Sequence, residues 1–476
     1  MKKKYKFLIL GCLLCTFSCT KWLTIDPKDN VLEDQVFGSE KGIQNALNGL
    51  YLKMANNNLY GYDLSLYTVE CLAQRLKTID ATNDPVKYYV SQYSYGDNSA
   101  KGKFSEIWKA AYNFILSTNV FIEKVSAGEG VLSTEKKNIV LGEAYAMRAF
   151  MHFDLLRIFG PIYSAENSSV LTIPYYTSST IAQRVRETSD TILQKIEADV
   201  EKSLTLLQND PIITKGVMAS NDYEEDFYAF RNRRLNYYAV SLLKLRILMY
   251  KGNRTAANTL ATQLLSDINE KFPWTNKADV QTGGKTDYIF SSEVLFGIHS
   301  AEMYSRFESS FTNTITLMGY LHAIDKRNAD YMFNSDISSS SDVRTLFLSL
   351  NLMEPDYTCI FKFKKYVTED YNWYFQPLMR KSELYLILAE CQSDTTYINN
   401  IRETRGVKRL GEEGELFDFE EELTREYQKE FINEGQLFYF YKRRNTSPLR
   451  SNTGTGTVIM NNDKYTVPVP ENEIDY

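Results

Sequence analysis

Few residue types in this 476-residue chain could do chemistry, and their spacing narrows the choice further. The three histidines, His152, His299 and His322, are far apart, and the cysteines match no zinc spacing. No metal centre and no cofactor is therefore expected. No phosphate loop, dinucleotide fingerprint or Gly-x-Ser-x-Gly elbow occurs, and Gly454-x-Gly456 sits in a Thr/Asn-rich turn outside any strand–helix frame. Glu426, Glu430 and Glu434 fall on one helical face, where like charges repel unless cations oppose them. Arg380, Arg402 and Arg405 are the natural partners. Among 60 acidic residues some pair always meets glycosidase spacing, so that spacing alone carries no weight.

That leaves binding chemistry. Tyrosine is unusually abundant, 34 residues against 26 phenylalanines, and its apolar ring with a polar tip suits sugar faces and wet interfaces as well as cores. Most of these must be structural, since no site uses so many. Two stretches stand out because polar loop, not helical periodicity, surrounds their rings. The first is 79–103, read as loop, with Tyr88, Tyr89, Tyr93, Tyr95 and Asn98. The second is the middle of the chain, about 273–376, with Trp274, Tyr304 and Tyr320. Aromatic faces on exposed loops cover the apolar face of a ligand while polar neighbours read its edge. Trp373 leads straight into a helix expected from Pro377 and reads as packing. The net charge of −6 supplies no basic stripe for nucleic acid.

Something rigid must hold these loops, and the sequence supplies helices. The clearest spans 134–159, where Thr134 can cap and Gly160-Pro161 ends the run. It is apolar on nearly every face, so other helices must surround it, and Glu143 and Arg148 are expected to pair with residues of those helices. Helical spacing also marks 39–55, 104–125, 187–208, 232–251 and 255–271, with Asn119 expected to bond partners within the core. The last two, turning at Gly252, are like a tetratricopeptide unit. Helices resume at 377–390, 398–406 and from Leu423 to Gly435, while 292–299 and 359–366 alternate like short strands.

The N-terminus is a targeting segment. Lys2, Lys3, Lys4 and Lys6 precede an apolar run from Phe7 to Phe17, too short to span a bilayer but right for a signal peptide. The run ends at Thr16-Phe-Ser-Cys19, which resembles a bacterial lipobox, so Cys19 would carry the lipid. Ile9-Leu-Gly-Cys12 matches the box on paper but leaves too short an apolar core. Cys71, Cys359 and Cys391 follow, enough for one disulfide at most.

Glu143-Ala, Arg148-Ala, Phe153-x-Leu and Phe159-Gly-Pro161 together resemble the signature of SusD/RagB-like nutrient-uptake lipoproteins. Phe37-Gly through Tyr51, Trp108-x-x-x-Tyr112-x-x-Ile115-x-x-x-Asn119, Arg402-x-x-Arg405-Gly406 and the glutamate run are similar in the family's order over most of 19–476. Tyr427, Leu437 and Phe440 depart from it, standing where the family usually has Arg, Arg and Asp. The resemblance implies a mainly α fold of tetratricopeptide-like helical hairpins with a loop-rich, partly β elaboration. Residues 1–18 would be a lipoprotein signal peptide and 19–476 a single domain, with its helical frame at about 39–271 and 377–445 and its loop-rich insertion at about 273–376.

It further implies a non-catalytic lipoprotein, anchored to the outer membrane and facing outward, that captures an oligosaccharide or a peptide. The ligand would pass to a TonB-dependent SusC-like transporter. In the family the two aromatic stretches face the same side, so Tyr89, Tyr93, Tyr95, Asn98, Trp274, Tyr304 and Tyr320 are the expected ligand contacts. An enzyme reading, a helical-toroid carbohydrate hydrolase or lyase, would need helix-hairpin periodicity running unbroken through 273–376, where loops and strands are read instead.

Overall fold

The computed structural model describes residues 35–180, 185–218, 227–281, 286–334, 340–365 and 374–471. The signal run and Cys19, and Trp373 in the middle, lie outside the described residues.

Helices form where apolar periodicity meets a capping side chain. The first, α1 (Glu40–Met54), starts at Ser39, whose hydroxyl accepts from the Gly42 N–H. Asp84 and Asp97 start α2 (Pro85–Ser91) and α3 (Asn98–Ala127) in the same way. Ser133, one residue before the expected Thr134, caps α4 (Thr134–Phe159), and Gly160 ends it. Most of α4 is buried because α3 packs on it and α5 (Ser189–Leu206) packs closely too. A Cβ at Gly142 would lie 2.7 Å from Leu207 Cγ, so this approach requires glycine. The tetratricopeptide-like hairpin is α6 (Tyr237–Tyr250) and α7 (Arg254–Lys271), turning through Gly252 at φ 71°.

The second half interleaves strands with helices. β1 (Val294–His299) is followed by α8 (Met303–Ser310), β2 (Ala323–Asp325), α9 (Lys326–Phe333), β3 (Leu348–Leu350), β4 (Tyr357–Ile360) and β5 (Phe375–Arg380). β1 pairs antiparallel with β5, while β2, β4 and β3 make a second antiparallel sheet in that order. The frame then closes with α10 (Lys381–Gln392), which packs on α7, and with α11 (Thr395–Thr404), α12 (Phe419–Glu430) and α13 (Leu437–Arg443). A continuous buried apolar cluster reaches from Ile43 to Val469 and takes in residues of α1, α3, α4, α6 and α10. The fold is mainly α, with helical hairpins carrying small β elaborations, as the sequence implies.

Some expectations are corrected. Residues 79–103 are not loop throughout, because the Asp84 cap with Pro85 at the first helical position starts α2, and α3 begins at Asn98. The Asn, Asp and Gly residues that read as loop composition are partly helix caps. Pro377 starts no helix. It lies in β5 opposite Gly297, and the helix begins at Lys381. A short apolar run does not distinguish strand from helix, and a two-stranded edge tolerates proline. The strand expected at 359–366 is β4, which starts earlier and ends at Ile360. Glu434 lies beyond the end of α12. Cys71, Cys359 and Cys391 are free thiols.

Candidate functional site

Lys87 sits on the buried side of α2. Its ammonium donates to the carbonyl oxygens of Gly319, at 2.6 Å, and Leu321, at 2.9 Å. A Cβ at Gly319 would come within 2.2 Å of Asn83 Cβ, so the contact requires glycine there. Two further loops join the same surface. Lys77 donates its N–H to Ala323 O and its ammonium to Asp356 O. The Leu352 N–H donates to Asn313 O, and the Asn351 amide to Ile315 O. Residues 76–84, α2, 311–322 and 351–356 therefore form one connected surface. It exposes Ile79, Leu317, Tyr320, Leu352 and Met353, with Tyr320 half in solvent at 50%. Exposed apolar side chains gathered like this mark interaction sites.

An aromatic stack backs this surface. The rings of Tyr62 and Tyr67 stack at 4.9 Å, and Tyr67 stacks on His322 at 4.7 Å. Phe311 meets His322 edge-on at 5.3 Å, and the Arg306 guanidinium lies 4.1 Å over the Tyr62 ring. Asp84 ties the stack to α2, since it caps the helix, accepts from the Tyr67 hydroxyl and lies 3.5 Å from His322 Nε2. Burial pushes the His322 pKa down to about 4, against the pull of Asp84, so the imidazole is neutral near pH 7. Burial likewise lowers the Lys87 pKa. Sequence reasoning did not single out Asp84, Lys87 or His322 as site residues. The Asp84-Pro85 cap signature was the one local signal, and it pointed to Asp84 alone.

The expected ligand contacts are divided. Tyr320 stands on the connected surface. Tyr89 is half-buried on α2, edge-on to Tyr88 at 5.2 Å, and Asn98 is exposed at the first position of α3. Tyr93 is not an exposed loop residue. Its ring is buried, and its hydroxyl donates to Leu72 O and accepts from Gln74. Tyr95 turns its hydroxyl onto Lys464 O and its ring edge onto Phe104. Trp274 packs instead on Tyr385 of α10, with the Lys381 ammonium 4.2 Å from its ring. Tyr304, on α8, packs against Tyr374 at 4.5 Å.

The buried acidic residues of the C-terminal half are occupied in a shared network of ion pairs. Arg344 binds Asp342, Glu426 and Glu430; Arg380 binds Glu430 and Glu434; Arg405 binds Glu293 and Glu430. The expected cations are therefore the partners, joined by Arg344 and Lys362. Burial opposes the charge of Glu426, yet Arg344, Lys429 and Arg402 hold its pKa down at about 2. Arg148 pairs with Asp199 of α5 and donates to Asn119, while Glu143 pairs with Arg231, as their burial demands. Among the described residues no His/Cys/Asp/Glu group could hold a metal ion, and no helix is long and apolar enough to cross a membrane.

Comparison with known proteins gives a consistent picture. A SusD-like family model, described as starch-binding and associating with the outer membrane, matches residues 21–217. A SusD-like protein of Formosa agariphila is 24% identical over 306 residues, which cover 63% of this chain and 51% of that protein. The match thus spans about half of that relative's length. A solved SusD superfamily protein of Bacteroides thetaiotaomicron is similar with a TM-score of 0.72 at 20% identity, over 92% of this chain and 98% of that one. A SusD-like carbohydrate binding protein of Bacteroides vulgatus gives 0.66 at 15% identity, over 91% and 96%. At these identities the structural likeness is one of fold.

Proposed function

The chain belongs to the SusD-like superfamily, and on that premise we propose that it is a non-catalytic glycan-binding protein of the outer membrane. It captures an oligosaccharide on the surface built by 76–84, α2, 311–322 and 351–356. The staple from Lys87 to Gly319 and Leu321 carries this reading, because it joins two tyrosine-bearing stretches that the sequence keeps far apart. Tyr320 covers the C–H face of a sugar, and the exposed amide of Asn83, which lies beside Gly319, reads its hydroxyls. Affinity comes from stacking and hydrogen bonds, and no bond is broken. Relatives described as starch-binding or carbohydrate binding support a saccharide over a peptide.

Lipid attached at Cys19 holds the protein to the membrane facing outward, and the ligand passes to a TonB-dependent SusC-like transporter. A binding screen over oligosaccharides and peptides tests the ligand class. Saturable binding of at least one oligosaccharide supports the reading, and binding of peptides alone contradicts it. A transporter gene of that type adjoining this one supports delivery.

A further inference from the structure

We propose that the protein carries a second saccharide site, separate from the surface at α2, between α3 and the segment 174–180. The two line an open cleft of about 280 Å3, close to the lower end of the size range of small-molecule sites. Trp108, Tyr112 and Tyr176 line it with rings set at angles to one another. Trp108 and Tyr112 are 4.7 Å apart at 53°, and Tyr112 and Tyr176 are 5.5 Å apart at 72°. Trp108 is buried behind Tyr112, so the half-buried rings of Tyr112 and Tyr176 make the aromatic wall and Trp108 backs it.

The far wall is irregular backbone held in place by side chains of α3 and α4. Tyr112 donates to Pro174 O at 3.0 Å, and the Asn119 amide donates to both Tyr176 O and Ser178 O at 3.1 Å. Arg148 donates to Thr177 O, and the Tyr176 N–H donates to His152 Nε2 at 3.2 Å. Glu123 accepts the Ser179 N–H at 2.7 Å. The cleft is preformed, so a ligand entering it does not have to order its own site. Asn119 and Arg148 thereby gain a role beyond the core: they shape this wall.

The rim chooses the ligand. Lys109 and Asn113 are exposed there, and among the described residues neither side chain has a partner. Rings for a C–H face, with an amide and an ammonium at the edge, suit a short saccharide, and Lys109 favours one bearing a carboxylate. The site shares no residue with the surface at α2 and does not depend on it.

Fluorine NMR on the 5-fluorotryptophan-labelled full chain reads the site directly, since the chain has only four tryptophans and Trp108→Phe assigns the relevant resonance. The probes are maltose, cellobiose and digalacturonate. Digalacturonate should shift the Trp108 resonance saturably and more tightly than the neutral disaccharides. Tyr176→Ala should weaken that shift tenfold or more, Lys109→Ala should abolish the preference for the acidic probe, and Tyr320→Ala should change nothing. Lys109 is exposed, so its variant folds whatever becomes of Tyr176→Ala. A Trp108 resonance unmoved by all three probes overturns the proposal. So does a shift that survives Tyr176→Ala, an acid preference that survives Lys109→Ala, or a response lost in Tyr320→Ala, which would assign the probe to the surface at α2.

Discussion

Lys87 Nζ lies 2.6 Å from the carbonyl oxygen of Gly319, although 232 residues separate them in sequence. Through this bond the first turn of α2 fixes the backbone on either side of Tyr320, with Leu321 held by the same ammonium. Lys87→Met keeps the stem and removes the donors. Affinity for the oligosaccharide should fall tenfold or more, about 1.4 kcal/mol. The melting temperature should fall only a little, because a buried ammonium is already costly to desolvate. Calorimetry checks the first and a thermal melt the second. Unchanged affinity would detach the staple from binding.

Arg148 grips Asp199 through two bonds of 2.6 Å and donates to Asn119 at 3.0 Å. Arg148→Ala leaves Asp199 as a buried carboxylate without its cation, which should cost about 3–5 kcal/mol. Urea denaturation measures it. A loss below about 1 kcal/mol would show that Asp199 finds another partner.

Acid should weaken the fold in two stages. Burial lowers the His322 pKa from 6.5 to about 4, and that of His152 to about 3. Below pH 6.5 the unfolded chain takes up protons that the folded chain refuses, so stability falls as pH drops from 6.5 towards 4. Glu426, held at about 2, and Glu430, held well below its usual 4.5, act lower down. Their contribution is complete above pH 4.5 and is lost as pH falls towards 2. Urea midpoints should decline steadily below pH 6.5, and His322→Phe should make the upper stage shallower. Midpoints that stay constant from pH 6.5 to 4 would contradict this.

If the lipobox-like Thr16-Phe-Ser-Cys19 is the anchor, as proposed, Cys19→Ala should move the protein from the membrane fraction to the soluble one. Continued labelling of the variant by a fatty-acid probe would assign the lipid to Cys12 or Cys15.

The helical frame was legible because its signals are local. Ser39, Thr188 and Asn253 each cap a helix close to where periodicity starts it. The pairing of Glu430 with Arg380 and Arg405 was legible too, since glutamates on one helical face demand opposing cations. The site was less so. Tyr93 and Tyr95 sit among polar residues and read as exposed, yet their hydroxyls satisfy the carbonyls of Leu72 and Lys464, and the rings follow them inward. Trp274 shares a polar stretch with Tyr320, but its ring packs on Tyr385 and the Lys381 ammonium. Lys87 gave no warning, because a lysine's role here depends on a loop far along the chain.

The most direct measurement is a calorimetric titration of the wild-type protein and Tyr320→Ala with an oligosaccharide that the wild type binds. Tyr320 is 50% exposed, so its loss should leave the melting temperature nearly unchanged. If the connected surface is the binding site, the variant binds at least tenfold more weakly, about 1.4 kcal/mol. Equal dissociation constants for the two proteins would place the oligosaccharide elsewhere.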